Sequence, residues 1–175
     1  ATKKIYRATN EPHFSTVNGS GRFAYDFENK VEHKDTKAFK EAIEAFKKAN
    51  KKWLKDYSLY MAIKEYFGLT SWLSWDDDIK RRDPKALEKY ELALKDEIEY
   101  WSFIQYLFFK QWHKLKGYAN MQGIKIIGDM PIYVAIDSAD VWSNPKNYLV
   151  DEDTLEPKAV AGCPPDAFSK TGQLW

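Results

Sequence analysis

Apolar positions recur at helical spacing through the first two-thirds of the chain, and the period then changes. Asp35 or Thr36 stands where a helix N-cap is expected, and Phe39, Ile43 and Phe46 follow at intervals of four and three. That spacing predicts one apolar helix face. Leu54, Tyr57, Met61 and Phe67 mark a second helix, from about Trp53 to Phe67. Gly68 falls where a left-handed C-terminal cap belongs. A third pattern opens on Asp83-Pro84, with proline in the first turn where its missing N–H costs nothing. Leu87, Leu94, Ile98, Trp101, Ile104, Phe108, Trp112 and Leu115 then keep helical spacing to about Tyr118. Such a helix, roughly 50 Å long at 1.5 Å per residue, is expected to cross a larger body or to break near its middle.

After Gly123 the pattern is that of short extended runs. Ile124 to Ile127 is β-branched and ends in Gly128-Asp129. Tyr148 to Val150 and Lys158 to Val160, joined by the polar stretch Asp151 to Pro157, predict a hairpin. The tail from Ala161 to Trp175, rich in glycine and proline, reads as loop. Residues 1–34 are poorly patterned. Asn18 to Gly21 is a turn cluster, and Phe23, Tyr25 and Phe27 alternate as in a short extended stretch. The organisation is therefore an N-terminal segment (1–34), a helical region with one very long helix (35–122), and a segment of strand, hairpin and loop (123–175).

Composition narrows the function classes. Twenty-seven Lys and Arg against 26 Asp and Glu give no electrostatic reason to expect nucleic acid or an anionic membrane. No apolar run approaches the ~18 residues of a membrane span. The single cysteine, Cys163, permits no internal disulfide and fits a cytoplasmic setting. Seven Trp, eleven Tyr and ten Phe suit a packed core, a sugar-stacking surface, or both.

Two stretches carry candidate chemistry. In GIKIIGDMPIYVAIDSADVW, from Gly123 to Trp142, Asp129 ends the strand-like run. It is either a carboxylate at the catalytic end of a (β/α) barrel strand or a cap for the next turn. Asp137 and Asp140, around Ser138, are either a pair on one helix face or an N-cap with a first-turn acid. In VAGCPPDAFSKTGQLW, from Val160 to Trp175, Pro164-Pro165 stiffens the approach to Asp166, and Phe168 and Trp175 offer ring faces. The loop either contacts a sugar or covers a core edge.

Other matches are decoys. Ser143 to Lys146 fits S-x-x-K and Lys170 to Gly172 fits K-T-G, but the second lies in a predicted loop rather than on a strand. His13, His33 and His113 have no metal-ligand spacing with Cys163, so no metal is expected. The lysines from Lys47 to Lys55 read as a solvated helix end, and no phosphate-binding glycine motif is present.

These two stretches, with WLKDYSLYMAIKEYFG, the Trp72-x-x-Trp75 pair, RRDPKALEKY and IEYWSFIQYLFFKQW upstream, closely resemble a contiguous block of the 4-α-glucanotransferases (the amylomaltases, glycoside hydrolase family 77). The resemblance covers about Lys51 to Trp175 and is weak before Asn50. It implies an α/β fold: a fragment of a (β/α)8 TIM barrel with a helical insertion, the chain itself mostly helical with a few short strands. It implies no cofactor, and transfer of α-1,4-glucan segments between malto-oligosaccharides through a covalent glycosyl-enzyme by the retaining two-carboxylate scheme. On this resemblance Asp129 shapes the donor site, Asp137 and Ser138 form the adjacent motif turn, and Asp166, Phe168, Gln173 and Trp175 belong to a loop over the cleft. Ala167 stands where an aromatic is usual, and Cys163 where a small aliphatic is usual.

The family's nucleophile, acid/base and third acid belong to motifs beyond Trp175, so these 175 residues alone are expected to be inactive. Their long apolar helix is expected to drive self-association. A non-catalytic glucan-binding or interaction module built on the same segment, or a proteolytic product, is the alternative.

Overall fold

A computed structural model of the chain describes residues 36–131 and 133–174, together with the backbone of three short strands within the first 25 residues. The turn cluster Asn18 to Gly21, Phe27, Asp35, Ile132 and Trp175 lie outside the described residues. The strands β1 (Ile5–Tyr6), β2 (Phe14–Val17) and β3 (Arg22–Tyr25) form an antiparallel sheet in that order, with Ile5 opposite Ser15 and Phe14 opposite Tyr25. β3 takes in Phe23 to Tyr25 of the expected extended stretch.

The chain divides into two compact units, one from Ala1–Ala62 with Ala93–Ile126 and the other from Ile63–Leu92 with Ile127–Trp175. In the first, helix α1 (Thr36–Ala49) and the start of α2 (Lys51–Tyr66), which runs on into the second unit from Ile63, follow each other around Asn50. The Asn50 carboxamide donates to the Phe46 carbonyl at 2.9 Å and accepts from the Trp53 indole at 3.1 Å, and the Leu54 amide donates to its backbone carbonyl. One side chain thus closes one helix and steadies the next, so α2 begins two residues earlier than its apolar pattern suggests. Phe39 and Ile43 of α1 pack with Phe103 and Leu107 of α5 (Lys95–Met121). Edge-on rings join Phe39 to Tyr106 at 5.7 Å and Tyr57 to Trp101 at 6.4 Å. Burial pulls the Lys47 ammonium down, but hydrogen bonds to Glu99 and Glu44 outweigh it and leave its pKa raised.

Of the two expectations for the long pattern, the break is the one observed, and it forms two helices. α4 (Pro84–Ala93) ends at Leu94, whose φ of −112° and ψ of 29° leave the helical region, and α5 starts at Lys95. The reason is tertiary. The boundary between the units falls between Leu92 and Ala93; Ala86 and Tyr90 are buried on one side of it, and Leu94, Glu97 and Phe103 on the other. At its far end α5 leaves Phe108, Trp112, Leu115, Tyr118 and Met121 exposed.

The second unit is built on tryptophan. Trp72, Trp75, Ile79, Val141 and Trp142 are all buried. Phe67 stacks on Trp75 at 5.7 Å, and the Trp75 ring meets Trp142 edge-on at the same distance. Gly68 (φ 67°) and Leu69 (φ 65°) both turn left-handed past α2, and the Leu69 amide donates to the Lys64 carbonyl at 2.7 Å, a helix stop built as expected. α3 (Asp77–Lys80) follows a turn at Trp72–Ser74. The Asp83 carboxylate accepts from the amides of Lys85 and Ala86 at 2.9 and 3.3 Å and caps α4.

Three expectations for the last third need correction. Residues 124–127 form no strand, and Ile127 is 93% exposed. A parallel barrel strand is stabilised by ladders on both edges and cover on both faces, and among the described residues none flanks this run. The tail is not all loop: β4 (Gly162–Cys163) pairs antiparallel with β5 (Gln173–Leu174). The hairpin expected around Asp151 to Pro157 is reduced to one bridge, Val150 to Pro157. Among the described residues no helix is long and apolar enough to cross a membrane.

Candidate functional site

All the candidate residues that the structure describes lie in the second unit, and all but Asp129 fall in two groups. Asp137 and Ser138 belong to the first. Ser138 opens α6 (Ala139–Ser143), its hydroxyl accepting from the Val141 amide at 3.4 Å, and Asp140 lies in the first turn. Of the cap reading, the first-turn acid is Asp140, but the N-cap is Ser138 rather than Asp137. Asp137 does something else: its Oδ2 pairs with Lys64 Nζ, and its Oδ1 accepts from the Trp72 amide at 3.4 Å. The Trp72 indole donates to the Ile136 carbonyl at 2.6 Å, and the Trp142 indole to the Ile79 carbonyl at 3.2 Å. Arg82 covers the Trp142 ring at 4.3 Å. Tyr148 has its pKa raised by burial and by the negative charge of Asp140.

Asp166, Phe168 and Gln173 form the second group, on the β4–β5 hairpin. Asp166 Oδ1 accepts from the amides of Phe168 and Ser169 at 2.8 and 2.7 Å, while its own amide donates to the Ser169 carbonyl. Its carboxylate is thus partly spent on shaping the turn. The turn holds Phe168 out, 99% exposed. The Ser169 hydroxyl donates to the Gly172 carbonyl at 2.8 Å and closes the loop. Gly172 has a φ of +71°, and a Cβ there would meet the Cys163 carbonyl oxygen at 2.5 Å. Gln173, in β5 opposite Cys163, is exposed.

Asp129 joins neither group through a side-chain bond; it is exposed, and its Oδ1 accepts from the next amide, Met130, at 2.8 Å. Trp175 lies outside the described residues.

Sequence reasoning passed over Lys64 and Arg81. Arg81 donates to the backbone carbonyls of Asp153 and Glu152 and so ties the 151–157 loop to the end of α3. Within that loop, Asp151 Oδ1 accepts from the amides of Asp153 and Thr154, both at 3.0 Å, and these bonds hold its carboxyl below the usual carboxylate range. Nothing local signals either cation's partner, since Lys64 and Asp137 stand 73 residues apart.

Residues 21–175 match the family model described as 4-alpha-glucanotransferase. The chain belongs to the 4-alpha-glucanotransferase family. The match extends upstream of the resemblance read from the sequence, which was weak before Asn50. The chain is 57% identical over 142 residues to a 4-alpha-glucanotransferase of Clostridium butyricum, covering 81% of the chain and 28% of that protein. It is 48% identical over 153 residues to one of Aquifex aeolicus, covering 86% of the chain and 31% of that protein. Among solved structures it is similar to an amylomaltase of Streptococcus agalactiae in complex with acarbose, with a TM-score of 0.72 and 46% identity, over 79% of the chain and 28% of that structure. The chain thus spans less than a third of the glucanotransferases it matches.

Proposed function

We propose that this chain is part of an enzyme that transfers α-1,4-glucan segments between malto-oligosaccharides, by a retaining mechanism with a covalent glycosyl-enzyme. The observation that carries the reading is the family match across residues 21–175. The whole enzyme completes a (β/α)8 barrel, of which residues 124–127 supply one strand once neighbouring strands flank them. Its setting is the cytoplasm.

Within this segment Asp129 faces the donor sugar, and Asp166, Phe168, Gln173 and Trp175 face the glucan from the loop. The full exposure of Phe168 on a braced turn supports its part, since a ring held out of the core has a free face for the C–H side of a sugar. Asp137 and Ser138 shape the turn behind them. The 175 residues alone transfer no glucose and self-associate through the exposed face of α5, whose Phe108, Trp112 and Leu115 fall on one stripe.

The test is disproportionation of maltotriose by the full-length enzyme, with acarbose as inhibitor because a similar amylomaltase was solved with it. Binding of glucan without transfer would replace this reading with a non-catalytic glucan-binding module. Phe168→Ala is expected to raise the acceptor KM about tenfold, from burial of one ring face at ~25 cal/mol per Å². Asp129→Asn is expected to lower kcat, because a carboxylate facing the donor sugar acts most strongly in the transition state.

A further inference from the structure

We infer that Lys64 and Asp137 form a positioning pair that fixes the turn from Ile136 to Ser138, so that Asp137 acts through the backbone it holds rather than by touching glucan. The inference rests on the glucan-transfer reading above and adds a residue, Lys64, that the reading does not contain.

Both carboxylate oxygens of Asp137 are engaged by groups far away in the chain. Oδ2 takes Lys64 from the last turn of α2, and Oδ1 takes the backbone amide of Trp72, 65 residues away. The Lys64 side chain is 16% exposed and that of Asp137 35%, so the contact is more enclosed than a pair on an open helix face. One residue upstream, the indole of the buried Trp72 holds the Ile136 carbonyl. One residue downstream, Ser138 caps α6 and seats Val141 and Trp142 in the core. Three consecutive residues are therefore pinned, by a charge pair, an indole and a helix cap. On the reading above this turn lies behind the residues that face the glucan, so its placement bears on theirs. A misplacement of about 1 Å in a group that acts on the transition state costs up to ~10²-fold in rate, whereas a partly exposed ion pair contributes little to stability. Loss of the pair should therefore register in turnover and hardly at all in melting.

The experiment has two arms. In the full-length enzyme, Lys64→Met and Asp137→Asn should each lower kcat about tenfold with maltotriose KM within about twofold, the loss expected of an interaction that acts on the transition state. The double variant should be no worse than the poorer single one, and Lys64→Arg should retain wild-type turnover. In the 175-residue chain, both single variants should speed exchange of the Trp72 indole proton with solvent. An inactive wild-type enzyme would fail the glucan-transfer reading, while the indole exchange still reads the pair by itself. The inference is overturned if Asp137→Asn raises KM at unchanged kcat while Lys64→Met behaves as wild type, because Asp137 is then a glucan ligand. It is equally overturned if both variants keep wild-type kinetic constants, or if the Trp72 indole exchanges at the wild-type rate in both.

Discussion

Gly172→Ala should open the β4–β5 hairpin and leave the rest of the unit folded. A Cβ at position 172 would lie 2.5 Å from the Cys163 carbonyl oxygen and 3.1 Å from both Pro164 C and Pro165 N. All three neighbours are backbone, and the two prolines fix their own φ, so nothing nearby can swing aside. The φ of +71° adds strain of about 1–2 kcal/mol for an alanine. Against this stand two paired positions, Gly162 with Leu174 and Cys163 with Gln173, at a net ~0.5–1.5 kcal/mol per hydrogen bond. The strain and the clash together exceed the ladder, so the hairpin yields. Little else is lost, because Phe168 is 99% and Leu174 80% exposed and neither anchors a core. The melting curve should stay within about 0.5 kcal/mol of wild type, as for a surface change. The amides of Gly162, Cys163, Gln173 and Leu174 should shift toward random-coil positions in a ¹H–¹⁵N spectrum. Gly172→Asn separates the two causes. Asparagine tolerates the left-handed region but carries the same Cβ, so it should open the hairpin too. Wild-type amide shifts in either variant would refute the steric argument.

Three further perturbations test other parts of the structure by different routes. Gly117→Ala, inside α5 with nothing within 4 Å of the added carbon, should stabilise the chain by about 0.5–1 kcal/mol and raise Tm by about 2–4 °C; a fall in Tm would contradict the open space. Trp142→Phe keeps a ring in the core but removes the donor to the Ile79 carbonyl; urea titration should show a loss of about 1–3 kcal/mol, below the ~3–5 kcal/mol of Trp142→Ala. Asp151 should titrate with a midpoint below that of an unfolded aspartate, so the stability it lends is present above the unfolded value and lost as pH falls through the folded one. Amide shifts of Asp153 and Thr154 followed from pH 6 to pH 2 should report that midpoint, and an unfolded-like value would sink the assignment.

What the sequence disclosed was local. Phe39, Ile43 and Phe46 place α1 because a helix face is written within eight residues. Gly68 and Asp83-Pro84 mark the stop and the start they form, because each acts on backbone within three positions. That the long pattern could break was legible from its length, but the place of the break, Leu94, was not. Leu87, Leu94, Ile98 and Trp101 continue in phase through it, and no glycine or proline marks the place. The signal lies instead in which core each side of the break serves. The Lys64–Asp137 pair was hidden for a related reason, since a lysine late in a helix is ordinarily a solvated one and nothing near it names a partner 73 residues on. The β4–β5 ladder did leave a trace, in Gly162 and Gly172 at the two ends of a polar loop, a pairing that only the missing Cβ atoms permit.

The run from Ile124 to Ile127 shows where residue-by-residue reasoning stops. Its β-branched character is a preference for a pleated, covered surface rather than for an extended backbone in isolation. In the described chain Ile124 is 60% and Ile127 93% exposed, and neither edge is paired. Four such residues cannot supply their own ladder or their own cover, so the strand can exist only where other strands flank it. Asp129 follows one residue after this run, and on the glucan-transfer reading proposed above its bearing on a sugar is a joint property of that sheet and of the bonds that pin Ile136 to Ser138. The two supports are separable in principle. On that reading flanking strands fix the height of the carboxylate, while the Trp72 indole, Lys64 and the Ser138 cap hold residues 136–138 behind it. The second support is complete within these 175 residues, although the first is not. A site residue can therefore be legible by type and position well before the structure that gives it reach is assembled.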